Sequence, residues 1–341
     1  MDNTERLRLI KRNTQEIVTE KELKELLKEK KKPSVYLGTT PTGRPHIGYF
    51  MWFIKMGDFL KAGLNVKLLL ADLHAALDNT PWEVLEYRYK YYDQVISLAF
   101  KSLGVDTKNF ETIKGSSFQL NKDYILDLFK LASYTSINDC KRAGAEVVKF
   151  GKNPKLSGLI YPLMQAIDEE YLKVDIQYGG VDQRKILMLA RERLPSLGYK
   201  PRVELMTPII PGLQGVKMSA SDFKSKIDLL DSPEDVKIKL NKAHCPAGEV
   251  KDNGVLAFLQ YVIFVIKEDK NETFIIERPE KFGGNLEYKS YKDLEKDYIA
   301  KKLHPLDLKN ALAGEINLLL EPIRKGFKDK DLIKKAYPED L

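Results

Sequence analysis

The chain is poor in the residues that would tie it to an oxidising compartment or a lipid bilayer. It has two cysteines, Cys140 and Cys245, far apart and in no CxxC pattern. That excludes a disulfide framework and a cysteine-built zinc site, and points to a reducing interior. The longest apolar stretch, "VLAFLQYVIFVI" at 255–266, falls well short of the roughly 20 residues that a membrane-spanning helix needs. The amino terminus, "MDNTERLRLIKRN", is charged from its start, unlike a signal peptide. No internal repeat or low-complexity tract stands out beyond an enrichment in lysine. A soluble, cytoplasmic protein without membrane contact is expected, with no appended domain after residue 341.

What is present suits a globular chain of one large or two medium domains. Of the 341 residues, 43% are hydrophobic and 31% charged, enough to build real cores. A net charge of +7 with a pI near 9.0 favours polyanionic partners, although solvated lysine faces give the same balance. The first 30 residues read as helical, with Thr19 and Glu22 at capping-box spacing and Leu23, Leu26 and Leu27 on one face. Strand-like runs then alternate with helical ones as far as about residue 230: "SVYLG", "NVKLLLAD", "FETIKG", "VDIQYGG" and "RVELM". Strand, helix, strand in this order predicts a doubly wound parallel sheet, an α/β Rossmann-like frame. From Ser232 and Pro233, an N-cap followed by a first-turn proline, the chain reads mostly helical over 233–243, 253–267, 290–302 and 305–325. A boundary near residue 230 is expected, giving domains 1–230 and 231–341.

Two loops carry unusual residues. In "YLGTTPTGRPHIGYF", 36–50, a strand gives way to glycine, proline and one of only four histidines. On a parallel sheet such a strand-to-helix junction faces ligands. Gly38 and Gly43 permit close backbone approach, Pro41 and Pro45 stiffen the turn, and His46 stands within a turn of a helix amino terminus, a place suited to phosphate. In "GLQGVKMSASDFKSK", 212–226, Lys217, Ser219 and Ser221 follow the strand "RVELM". A lysine there could meet charge developing on a triphosphate. Taken singly, each segment reads more simply as an ordinary solvated loop. A helix is read from Tyr161 to Leu172, with Pro162 in its first turn. Tyr161, Gln165 and Asp168 share one face of it beside an apolar stripe, either a solvated face or a pocket wall.

It is the pair of loops that is specific. HIGY at 46–49 and KMSAS at 217–221 resemble the HIGH and KMSKS signatures of class I aminoacyl-tRNA synthetases. "YPLMQAIDEEYLKVDIQYGGVDQRK", "LLLADLHAALDN", "RPEKFGG" and "HPLDLKNA" resemble the archaeal and eukaryotic tyrosyl-tRNA synthetase family. The resemblance implies activation of tyrosine by ATP, with Mg2+, followed by transfer to tRNA-Tyr. By that resemblance Tyr36 and Asp168 bond the phenol oxygen, and Tyr161, Gln165 and Gln183 hold the ammonium group. Leu69, Phe118 and Leu172 line the ring slot. His46 and Lys217 meet the phosphates with Thr40 close by. Gly38, Gly48, Gly180, Asp182, Ser219 and Ser221 serve the nucleotide. Arg184 would help read the acceptor stem, and Phe282, His304 and Asp307 the first anticodon base.

The family is typically a homodimer with its interface in an insertion near 115–170. Ala220 and Tyr49 depart from the two signatures, and Ala76 stands where relatives often carry tyrosine. No carboxylate cluster marks a protein-held metal. Alternatives are a tryptophanyl-tRNA synthetase, against which Asp168 with Tyr36 argues, a silent RNA-binding scaffold, and a nucleotidyltransferase making a dinucleotide cofactor.

Overall fold

A computed structural model describes residues 1–148, 150–213 and 226–340. Lys217, Ser219, Ser221 and Ala220 therefore lie outside the described residues. Within them, one sheet contains β1 (Glu16–Val18), β2 (Ser34–Thr39), β3 (Asn65–Leu70), β4 (Phe110–Lys114), β5 (Ile176–Gly180) and β6 (Val203–Thr207). The spatial order is β1-β6-β5-β2-β3-β4. All neighbours are parallel except β1, which pairs antiparallel with β6. This is the doubly wound α/β sheet expected from the alternation of strands and helices.

The order places a switch point at β2. From there the chain builds outward through β3 and β4 on one side, and through β5 and β6 on the other. Crevices open at the carboxyl ends of strands where the winding reverses. Here the register makes the crevice explicit, because β2 pairs with β5 only at Val35–Ile176 and Tyr36–Gln177. Beyond those positions the strands part, whereas β2 stays paired with β3 as far as Thr39–Leu70. Leu37–Thr39 and Tyr178–Gly180 are thus the two lips of an opening.

Some expectations need correction. The first 30 residues are two helices, Asn3–Lys11 and Glu20–Glu29, separated by β1. The capping box does form, with Glu22 N–H donating to Thr19 Oγ1 at 3.2 Å and Thr19 N–H to Glu22 Oε2 at 3.0 Å. β1 escaped notice because three residues carry no period, and an edge partner defines them. The helix read from Tyr161 begins earlier, at Ser157, so Pro162 lies inside Ser157–Tyr171 and not in its first turn. There the missing N–H leaves only the Gly158 carbonyl without its helical donor. After residue 230 the chain is mostly helical, including Pro233–Asn241, Tyr291–Ile299 and Pro305–Gly326. A short hairpin, β7 (Phe274–Ile276) with β8 (Leu286–Tyr288), also forms there.

One hydrophobic cluster runs without a break through both parts. It contains Val35, Val66 and Ile176 of the sheet together with Leu256, Ile316 and Tyr337 of the helical region. The last helix, Lys330–Ala336, packs against Leu85–Ser102, which covers one face of the sheet. Among the described residues, no helix is long and apolar enough to cross a membrane.

Candidate functional site

Two adjoining cavities occupy the crevice. The first, of about 280 Å³, is lined by Tyr36, Gly38 and Thr40 from β2 and its exit, by Leu69 from β3, and by Tyr161, Gln165 and Asp168 from helix Ser157–Tyr171. Asp182 and Gln183 close it. The second, of about 260 Å³, is lined by His46, Gly48, Gly180, Asp182 and Thr207. Thr39, Tyr49 and Asp182 face both, so the two form one bent slot. Residues distant in sequence, at 36–48 and 161–183, are brought together as expected. Phe118 and Leu172 stand one layer back, packed against Tyr36 and Leu69. Gly180 has a steric reason: a Cβ there would meet Asp182 Oδ1 at 2.4 Å, in the wall of the second cavity.

Asp168 is the most constrained group of the first cavity. It is 1% exposed. Its Oδ1 accepts from Gln119 Nε2 at 2.8 Å and from the Tyr124 hydroxyl at 2.9 Å. Its Oδ2 has no hydrogen-bond partner among the described residues; His74 Nε2 lies 3.8 Å from it. Burial pushes the Asp168 carboxyl up to about 7, opposed by the bonds from Gln119 and Tyr124. The His74 ring is held down to about 4, chiefly by burial. It sits edge-on to Tyr161, with centroids 4.7 Å apart. Tyr36 donates its hydroxyl to the Gln165 carbonyl at 3.2 Å, and Gln165 Nε2 donates to Gln183 Oε1 at 3.1 Å. The cavity thus offers a buried acceptor beside a histidine and a phenol at its closed end, with amide oxygens along the wall.

Gln119, Tyr124 and His74 were not singled out from the sequence. His74 lies in the quoted "LLLADLHAALDN" and stands just past the carboxyl end of β3, a position that marks it in any parallel sheet. Gln119 and Tyr124 carry no local signal, since only the packing of the 115–134 segment under Asp168 gives them a role. A Cβ on Gly115 would come within 2.6 Å of Gln119 Oε1, so that glycine makes room for the Gln119 side chain.

In the second cavity His46 is the N-cap of the short 3-10 turn Ile47–Tyr49, its Nδ1 accepting from Gly48 N–H at 3.1 Å. The ring is 6% exposed. Burial, and then the Lys226 ammonium, hold it down to about 3. A neutral imidazole whose Nδ1 accepts carries its proton on Nε2. His46 is therefore a fixed N–H donor at the end of the slot formed by the second cavity.

The residues assigned to RNA lie elsewhere. Arg184 opens helix Arg184–Arg193 and pairs with Glu16, Nε to Oε2 at 2.7 Å. Phe282 is exposed on the turn Glu280–Phe282, with Lys281 Nζ 5.0 Å from its ring centroid. His304 caps helix Pro305–Gly326, its Nδ1 accepting from Leu306 N–H at 3.1 Å, and Asp307 lies in the first turn.

A family model described as tRNA synthetases class I (W and Y) matches residues 28–321. The chain belongs to this family. The synthetase is 52% identical over 340 residues to the cytoplasmic tyrosine–tRNA ligase of Danio rerio, covering 98% of this chain and 63% of that one. It is 46% identical over 342 residues to the tyrosine–tRNA ligase of Haloarcula marismortui, covering 99% of each. It thus spans about 63% of the length of the first relative and nearly all of the second. A solved relative, the tyrosyl-tRNA synthetase of Archaeoglobus fulgidus complexed with L-tyrosine, superposes with a TM-score of 0.88. It is 44% identical, covering 95% of this chain and 99% of that one.

Proposed function

We propose that this synthetase is a tyrosine–tRNA ligase of the cytoplasm, activating tyrosine with ATP and passing the tyrosyl group to the 3′ end of tRNA-Tyr. The observation that carries the reading is Asp168: one oxygen is saturated by Gln119 and Tyr124, and the other is buried without a partner among the described residues. A phenol hydroxyl supplies the missing donor, whereas phenylalanine leaves a desolvated carboxylate unpaired. Tyr36 and Asp168 face the phenol, Leu69 flanks the ring, and Tyr161, Gln165 and Gln183 hold the ammonium group.

The tyrosine carboxylate then points along the slot toward Thr40 and the second cavity. Its oxygen attacks the α-phosphorus of ATP, an oxygen–phosphorus bond to pyrophosphate breaks, and tyrosyl-adenylate remains. No side chain becomes a nucleophile, so the acceleration comes from alignment and charge stabilisation. His46 Nε2–H and Lys217 meet the phosphates, Gly48 and Gly180 leave room for the nucleotide, and Asp182 accepts from ribose hydroxyls. Magnesium accompanies ATP as the counter-ion of its phosphates. Among the described residues no three carboxylate, histidine or cysteine side chains cluster to hold it.

Residues 1–230 are read as the catalytic domain and 231–341 as the anticodon-binding domain. There Phe282 stacks on the first anticodon base, with His304 and Asp307 as its polar partners. The reading is tested by ATP–pyrophosphate exchange with tyrosine, tryptophan and phenylalanine in parallel. Exchange with tyrosine alone is expected. Exchange with tryptophan, or with none, overturns the assignment.

A homodimer is part of the proposal. Leu120, Leu126, Phe129 and Ile137 are exposed along the 120–137 segment, Phe129 at 65%, and such an apolar row on a free surface favours a second copy. Wild type is expected to elute as a dimer in light-scattering chromatography and Phe129→Asp as a monomer. A monomeric wild type would refute the pairing.

A further inference from the structure

The loop that carries His46 is tied to a distant segment of the chain. Ile47 N–H donates to the Ile227 carbonyl at 2.9 Å and Leu229 N–H to the Pro45 carbonyl at 3.2 Å. His46 and Asp228 face each other across this antiparallel bridge. Side chains repeat the connection. Arg44 Nη2 meets Asp228 Oδ1 at 2.9 Å, and Lys226 Nζ donates to the Arg44 carbonyl at 3.0 Å. Asp228 is 2% exposed, and its Oδ1 also accepts from Leu230 N–H at 2.9 Å. The segment is braced in turn, since Asp228 N–H donates to Asp231 Oδ2 and Lys239 Nζ to the same oxygen.

We propose that Arg44 and Asp228 form a positioning pair that fixes the His46 ring at the nucleotide cavity by clamping its loop to residues 226–229. The inference rests on the activation reading above, because only there does the exact place of His46 matter. Main-chain bonds already join the two segments, but each is a single contact at the end of a short bridge. The ion pair acts two residues before His46, and Asp228 lies directly opposite it. Its partner guanidinium therefore sets the twist of the turn from which the imidazole projects.

The test is tyrosine-dependent ATP–pyrophosphate exchange on the full chain with Asp228→Asn, Arg44→Met, their double variant and Arg44→Lys, with melting temperatures taken on the same samples. Asp228→Asn keeps an acceptor for Leu230 N–H and loses the charge. Each single change is expected to lower kcat about tenfold or more while KM for tyrosine stays within about twofold, since small misplacements of a catalytic group cost rate before affinity. The double variant should be no slower than either single one. Arg44→Lys should recover most of the turnover. Wild-type kcat in both single variants, multiplied losses in the double, or a loss that follows melting temperature and spares the lysine variant no better than the methionine one would each overturn the pair. Absence of exchange in the wild type would overturn the activation reading itself, and with it the catalytic meaning of the pair.

Discussion

Asp168→Asn is expected to raise KM for tyrosine in pyrophosphate exchange about 100-fold while KM for ATP stays within about twofold, the scale of losing a charged, desolvated hydrogen bond. The amide can still accept at one atom from Gln119 and Tyr124, so the fold beneath the pocket is kept. What changes is the second atom, which becomes a donor where the phenol needs an acceptor. Selectivity against phenylalanine should fall with it. An Asn variant with wild-type KM for tyrosine would remove Asp168 from the site. The carboxyl also sets a pH limb. Because burial raises it to about 7, it is largely protonated below that value in the free protein and ionised above. The kcat/KM for tyrosine should therefore rise as pH passes through about 7, and the Asn variant should lose this limb. The same shift works against the unliganded fold. Stability present below the ordinary aspartate value near 3.8 is lost as pH climbs to about 7, and bound tyrosine restores part of it by bonding the charge.

His46→Ala is expected to lower kcat for adenylate formation about 10²- to 10³-fold, the usual result of removing one preorganised donor at developing phosphate charge. Tyrosine affinity should be nearly intact, since the ring lies in the other cavity. His46→Asn separates two roles. Its Oδ1 can replace Nδ1 as the acceptor for Gly48 N–H, yet nothing replaces Nε2–H. If Asn were as active as wild type, the histidine would be a cap and no more. Since the imidazole is held neutral down to about 3, kcat should show no break near 6.5 that vanishes in the variant. A large rise in KM for tyrosine at unchanged kcat would contradict the assignment.

Part of the pocket's lining was legible in the sequence. His46 and Gly48 are marked by a strand that ends in glycine and proline, Tyr161, Gln165 and Asp168 share a helix face beside an apolar stripe, and the resemblance to the synthetase family adds Tyr36 and turns these patterns into a site. Both signals are local, so they survive in a single sequence. What escaped depends on contact between segments. Gln119 and Tyr124 matter only because helix Ser157–Tyr171 lies over them, and β1 only because β6 offers it an edge. Pro162 misled for a different reason. Proline favours a first turn, but five helical residues, Ser157–Tyr161, precede it here, and its only lost bond is at Gly158. Lys217, Ser219 and Ser221 lie outside the described residues, so their place in the mechanism rests on the signature alone.

The unbroken hydrophobic cluster from Val35 to Tyr337 bears on how the proposed tRNA substrate would be measured. Were the sheet and the helical region joined by a linker, either end of a tRNA could be met by adjusting the hinge. With a shared interior, the interval between Asp168 and Asp307, the residues proposed for the two ends, is set by packed side chains, as the jaws of a caliper are set once its screw is tightened. Under the proposed function, a tRNA whose two ends do not fit that gauge would have to bend, and the strain it took on would become a means of rejecting it.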